Sequence, residues 1–216
     1  INTTKDSFTF IDIKFEKNPS CEELDEECKK TMPELTASGV IIAKNDIKNN
    51  SYIATAAHVC NNPLILKAFE KRISIIFEVV DFYGNQYYGE PIFTHKFHDL
   101  CLIKIYDNKN FLEGAKISNK PPKYGEKIYS LAAPLSTFNK GLLPQFEGFY
   151  SGKLKIGGTE SDLYTIPATF GSSGAPVFNE DGELIGMIHS VTKNFHQLSL
   201  SIPWEVLDEL KDMIEY

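Results

Sequence analysis

The feature that most constrains this chain is a series of short apolar or alternating runs, each broken by Gly, Asn, Asp or Pro. Ser7–Phe15 alternates, Gly39–Ala43 and Tyr52–Ala57 are short and apolar, and Ile73–Val80 is rich in β-branched and aromatic residues. Leu100–Tyr106, Lys127–Ala132, Phe146–Leu154, Ala175–Phe178, Leu184–Ile188 and Leu198–Ile202 continue the series. Runs this short cannot make long helices, and each exposes backbone groups that only neighbouring strands can pair. Many short strands at this spacing predict an all-β sandwich or barrel. The last segment departs from the pattern. After Pro203, apolar residues fall at Val206, Leu207, Leu210, Met213 and Ile214, which is helical spacing, and proline suits a first helical turn. The stretch from Asn108 to Tyr124 is polar, carries Pro121-Pro122, and is the best candidate for a linker between two halves.

With 216 residues, the chain can build one large core or two small ones. Its net charge of −7 argues against a nucleic-acid partner, which would need clustered Lys and Arg. Much of the acid lies between Cys21 and Glu34, a run best read as a solvated loop. No apolar run approaches the roughly 20 residues of a membrane-spanning helix. Of the four cysteines, Cys21 and Cys28 could close a short loop. Cys60 and Cys101 each stand two residues after a candidate catalytic residue and could lie close in space. Free buried thiols are the competing reading. Four cysteines permit an oxidising, extracytoplasmic setting without requiring it.

Three short segments carry chemistry. In Gly171-Ser172-Ser173-Gly174-Ala175-Pro176, a serine sits between glycines and before a proline. Such a peptide suits a tight turn in which backbone N–H groups crowd around one hydroxyl, although ordinary loops share the composition. A nucleophilic serine needs that surrounding. His58 closes the apolar run Ile53-Ala54-Thr55-Ala56-Ala57, where it could project from a rigid element into a cleft, or serve as a hydrogen-bonded structural histidine. Asp99 leads directly into the buried run Leu100-Cys101-Leu102-Ile103, so its carboxylate must be satisfied, either within a turn or by orienting a histidine. His95 and His98 lack a third metal ligand at suitable spacing.

In this order the three segments resemble the trypsin-like serine protease family. Thr55-Ala56-Ala57-His58 is similar to its histidine motif, Asp99-Leu100-Cys101-Leu102-Ile103-Lys104 to its aspartate motif, and the peptide around Ser173 to its nucleophile motif. Gly182-Glu183-Leu184-Ile185-Gly186 and Ser201-Ile202-Pro203 are similar to HtrA-type and glutamyl-endopeptidase-type members, so the resemblance runs from about Thr36 to Tyr216. It implies two six-stranded antiparallel β-barrels with a C-terminal helix. The expected division is residues 1–108 for the barrel with His58 and Asp99, 109–124 for the linker, and 125–216 for the barrel with Ser173. It also implies a serine endopeptidase acting on polypeptides without cofactor or metal, a monomer by default. Ser173 would be nucleophile, His58 general base and Asp99 its orienting carboxylate, with Gly171 and Ser173 N–H groups as oxyanion hole. A trypsin-fold binding protein that no longer cleaves, or a protease restricted to itself or one partner, is the alternative. The nucleophile elbow of α/β-hydrolases is excluded, because that fold places acid and histidine after the serine and only 43 residues follow Ser173.

The departures from the family pattern are informative. Ser172 replaces the acid that pairs with a new N-terminus in trypsin, so Ile1 is not expected to be an activating terminus of that kind. By the same resemblance, the specificity pocket is expected to draw on Pro167, Ala168, Thr169 and Phe170, on Ile188, His189, Ser190 and Val191, and on Leu198–Ser201, including Ser199. Its base would be Pro167, which is not an acid, so a preference for Lys or Arg is not expected. Glutamyl endopeptidases use a histidine two residues after a glycine in this region, whereas His189 stands three after Gly186. In a regular strand Ile188 faces the pocket and His189 faces Asp99, the register preferred here. A bulge would instead turn His189 into the pocket. A small or medium apolar preference follows.

Overall fold

The computed structural model describes residues 4–16, 34–45, 48–63, 65, 74–106, 114–192 and 195–214, with side chains as far as 211. Cys21, Cys28 and Ile1, and the expectations attached to them, lie outside these residues.

Twelve strands close into two antiparallel barrels. The first holds β1 (Phe8–Glu16), β2 (Leu35–Asn45), β3 (Asn50–Thr55), β4 (Ser74–Asp81), β5 (Gln86–Thr94) and β6 (Cys101–Tyr106), paired in the order β1-β2-β3-β6-β5-β4. The second holds β7 (Lys127–Leu131), β8 (Gln145–Ile156), β9 (Thr159–Tyr164), β10 (Pro176–Phe178), β11 (Leu184–Thr192) and β12 (Phe195–Ser201), in the order β10-β11-β12-β9-β8-β7. Closure pairs every strand on both sides and leaves no free sheet edge in either barrel. A four-residue helix α1 (Ala57–Cys60) follows β3, and α2 (Trp204–Ile214) ends the fold. Among the described residues, no helix is long and apolar enough to cross a membrane.

The two-residue period of the strands divides the core. In β6, Cys101, Ile103 and Ile105 fill the first barrel with Ile11, Ile41, Ile53 and Val79. The alternate residues Leu100 and Leu102 face the other way, and join Val40, Leu131, Phe178, Leu184 and Met187 in a core between the barrels. The second barrel encloses Ile128, Tyr164, Ile166, Val177 and Ile185. Helix α2 lays Val206, Leu207 and Leu210 on the shared core. Its start is held by the fully buried Asp162, whose Oδ2 accepts the Trp204 N–H at 2.9 Å. The segment before β7 crosses from one barrel to the other: Ala115 N–H donates to Ile41 of β2 and Ser118 N–H to Leu184 of β11.

Cys60 at the end of α1 and Cys101 at the start of β6 form a disulfide, with Cα atoms 6.5 Å apart. It ties the turn carrying His58 to the strand behind Asp99. The 41-residue separation makes the link worth about 4 kcal/mol by the chain-entropy relation. Replacing both cysteines by serine is expected to lower the thermal midpoint by about 10 °C, read by calorimetry at neutral pH. An unchanged midpoint would show that the link contributes nothing to stability.

Candidate active site

Each of the three residues singled out in the sequence leaves a regular element at the interface of the barrels. His58 lies in α1, one turn beyond β3, Asp99 in the turn into β6, and Ser173 in the turn before β10. Asp99 Oδ2 lies 2.7 Å from His58 Nδ1, and Asp99 Oδ1 accepts the His58 backbone N–H at 2.8 Å. His58 Nε2 lies 2.8 Å from Ser173 Oγ. An ionised carboxylate only accepts, so Nδ1 carries the ring proton and Nε2 of the neutral ring accepts from the serine hydroxyl. Burial works to raise the Asp99 carboxyl, but the hydrogen bond and charge of His58 outweigh it and hold the carboxyl below its usual range. His95 serves the turn itself, its Nδ1 accepting the Phe97 and His98 N–H groups.

The backbone around Ser173 is held plane by plane. The Phe170 carbonyl accepts Leu135 N–H at 2.7 Å. A trans peptide directs its N–H opposite its C=O, so Gly171 N–H points away from Leu135, and Gly171 itself lines the cleft. Gly171 has φ of +88°, and a Cβ there would strike the Ala133 carbonyl, so only glycine fits. Among the described residues, no protein acceptor takes the N–H of Gly171 or Ser173. Ser172 is buried and closes its own turn, donating its N–H to Thr169 O at 2.9 Å and accepting Thr169 N–H on Oγ at 3.3 Å. Leu135 and Ser136 also take positive φ, of 52° and 60°, uncommon for residues with side chains and a sign of local strain at the site.

A cleft of about 530 Å³ opens beside Ser173, lined on this side by Ala168, Thr169, Phe170, Ile188, Ser190 and Val191. His189 reaches it, and so does exposed His196, which the sequence did not single out. Pro167 is not at its base: the chain alternates there, burying Ile166 and Ala168 and turning Pro167 outward. Ser199 is not in the wall either. It is fully buried, and its hydroxyl donates to Ile166 O.

Strand β11 carries a bulge between Ile188 and Ser190, which pair with Ser201 and Leu200 and leave His189 as the extra residue. The regular register expected for this strand therefore does not occur. The side-chain directions expected from it nevertheless do: Ile188 is buried against the cleft, and His189 Nδ1 lies 3.7 Å from Asp99 Oδ2. His189 Nε2 meets Ser161 Oγ at 3.3 Å. Burial pushes the His189 imidazole below its ordinary range against the opposing pull of Asp99.

The model of the trypsin-like peptidase domain matches residues 37–187. This chain belongs to the trypsin-like peptidase domain family. It is 29% identical over 188 residues to a glutamyl endopeptidase of Staphylococcus aureus strain MRSA252, covering 83% of this chain and 49% of that protein. It is 28% identical to the glutamyl endopeptidase of strain MW2, with 83% and 54% covered. The chain thus spans about half the length of the curated relatives it matches. The active form of the Rv3671c protease from M. tuberculosis shares the fold, with a TM-score of 0.70 at 14% identity over 99% of this chain and 82% of that one. An inactive mutant form of the same protease gives 0.66 at 13% identity, covering 99% and 89%. Beside the aspartate of this trypsin-like peptidase domain stands a second imidazole, that of His189.

That imidazole has a consequence for stability. Its folded pKa lies below the ordinary value of about 6.5, so below that pH the unfolded chain binds more protons and stability falls. Replacing His189 by Asn is expected to shrink the loss in thermal midpoint between about pH 7.5 and 5.5 relative to wild type. An equal loss in both proteins would contradict the assignment.

Proposed function

We propose that this chain is a serine endopeptidase working through Ser173, His58 and Asp99. The observation that supports it best is the continuous hydrogen-bonded line from Asp99 to His58 to Ser173, ending beside two N–H groups that have no protein acceptor among the described residues. His58 Nε2 takes the proton as Ser173 Oγ adds to the peptide carbonyl. The oxygen, now carrying the negative charge, accepts Gly171 and Ser173 N–H groups. One such donor is worth about 3–4 kcal/mol in the barrier. The C–N bond then breaks, with the same proton passing to the leaving amine. Water, deprotonated by His58, releases the acyl group and restores Ser173. Asp99 keeps the ring in the productive tautomer and stabilises its protonated form.

All of these residues come from one chain, which fits a monomer acting on a polypeptide. The crossing of the segment at Ala115 and Ser118 supports reading 1–108 and 125–216 as the two units joined by 109–124. The Cys60–Cys101 disulfide suits an oxidising, extracytoplasmic compartment.

The cleft supports a small or medium apolar side chain before the scissile bond. Ile188 and Ala168 face it, and among the described residues no lysine lines it, while Glu34 does. The curated relatives are named glutamyl endopeptidases, and His189 and His196 reach the same cleft, which gives acidic residues as the second reading. The interaction of His189 with Asp99 favours the apolar one. A fluorophosphonate is expected to label the wild type and not the Ser173→Ala variant, and a peptide-library digest to show cuts mainly after residues such as Leu, Val or Ala. Lack of labelling of folded wild type would leave a non-cleaving trypsin-fold protein, and cuts mainly after Glu would overturn the pocket assignment.

A further inference from the structure

Ser38 was not singled out by its sequence, yet it makes four hydrogen bonds from a single, fully buried position in β2. Its N–H donates to the carbonyl of Ser173 at 2.8 Å. Its hydroxyl donates to the carbonyl of Gly171 at 2.8 Å and accepts the N–H of Ala133 at 3.1 Å. Its own carbonyl accepts Thr55 Oγ1 at 2.8 Å, three residues before His58. One residue of the first barrel therefore grips the carbonyls of both cleft-lining residues whose N–H groups have no protein acceptor among the described residues, and connects them to the strand leading to the histidine. The fit is close: a Cβ on Gly174 would strike Ser38 O and Thr55 Oγ1.

The hydroxyl matters because Gly171 is glycine. Its left-handed φ is allowed without a side chain, but nothing in a glycine selects that conformation over others. Selection must come from the two peptide planes that meet at its Cα. Leu135 N–H fixes the plane on the Phe170 side, and Ser38 Oγ fixes the plane on the Ser172 side. Without the hydroxyl, a buried carbonyl and the Ala133 N–H both lose their partner. Relieving that loss requires the planes to turn. Any turn at Gly171 redirects the N–H that carries the oxyanion.

Resting on the endopeptidase reading above, we propose that Ser38 is a positioning residue for catalysis: its buried hydroxyl, bridging Ala133 N–H and Gly171 C=O across the barrel interface, aims the Gly171 N–H at the developing oxyanion. It touches no substrate atom. Its effect is felt in the transition state, when charge appears on the oxygen, and little in ground-state binding along the cleft.

The test is Ser38→Ala, assayed with a chromogenic peptide that wild type cleaves. We expect kcat to fall about 10- to 100-fold with KM changed less than about twofold, as for a donor displaced and not removed. Affinity for a peptidyl boronic acid, which places a tetrahedral anion in the site, should fall by the same factor as kcat/KM. Fluorophosphonate should still label Ser173 to full stoichiometry, more slowly. A purely structural role would lower the thermal midpoint and leave kcat and boronate affinity as they are, which overturns the proposal. If the alanine variant does not fold, Ser38→Cys keeps the volume with a weaker donor and acceptor. A lower kcat at unchanged KM then supports the proposal, and a wild-type kcat overturns it. A wild type that neither labels nor cleaves fails the endopeptidase reading itself, and this role with it.

Discussion

The site exists only where two closed barrels meet, and the hydrogen bond from Ser38 N–H to Ser173 C=O crosses that junction. Each barrel satisfies its own backbone by closure, so neither needs the other for its ladders. What joins them is the shared apolar core around Leu100, Leu102, Phe178 and Met187, together with a few polar links from β2 into the turn around Ser173. The apolar core supplies most of the attraction but little orientation, because apolar burial is non-directional. Hydrogen bonds to specific carbonyls supply the orientation. This division explains why a small buried serine stands where an apolar residue would pack as well.

The electrostatics depend on that placement. Asp99 is partly buried, which alone would favour its neutral form. Two hydrogen bonds from His58, one from the ring and one from the backbone, keep it ionised, and His189 adds a third polar neighbour. The Cys60–Cys101 disulfide holds the two segments that carry this pair. The histidine, its carboxylate and the covalent link between their elements thus form one unit on the first barrel. The turn around Ser173 forms a second unit on the other barrel.

Much of the fold was legible because period-two patterning and turn residues report directly on burial. The runs that became β1, β3, β6 and β11 read clearly for that reason, and helical spacing after Pro203 matched α2. Strands β5 and β9 were not legible. β5 is exposed along most of its length, with Tyr88 and Ile92 facing outward, and so lacks a buried face to impose a pattern. In β9 the buried positions are Ser161, Asp162 and Tyr164, polar groups satisfied by helix α2 and by tertiary contacts that no local pattern encodes. The residues around Ser173, His58 and Asp99 were visible because glycine turns and a charged residue before an apolar strand are unusual. Ser38 was invisible, since a serine before an apolar run looks like any strand edge. The bulge at His189 was weighed without a local signal to decide it, and the bulged strand still turns the imidazole to the aspartate.

The most direct measurement is a crystal structure of Ser173 bonded to a peptidyl boronic acid. One boronate oxygen is expected within about 2.7–3.1 Å of both Gly171 N and Ser173 N, with Phe170 C=O still on Leu135 N–H and Gly171 C=O still on Ser38 Oγ. An adduct whose oxygen points away from Gly171 N, or in which the Phe170–Gly171 peptide has turned over, would contradict the claim that the two barrels preorganise this site.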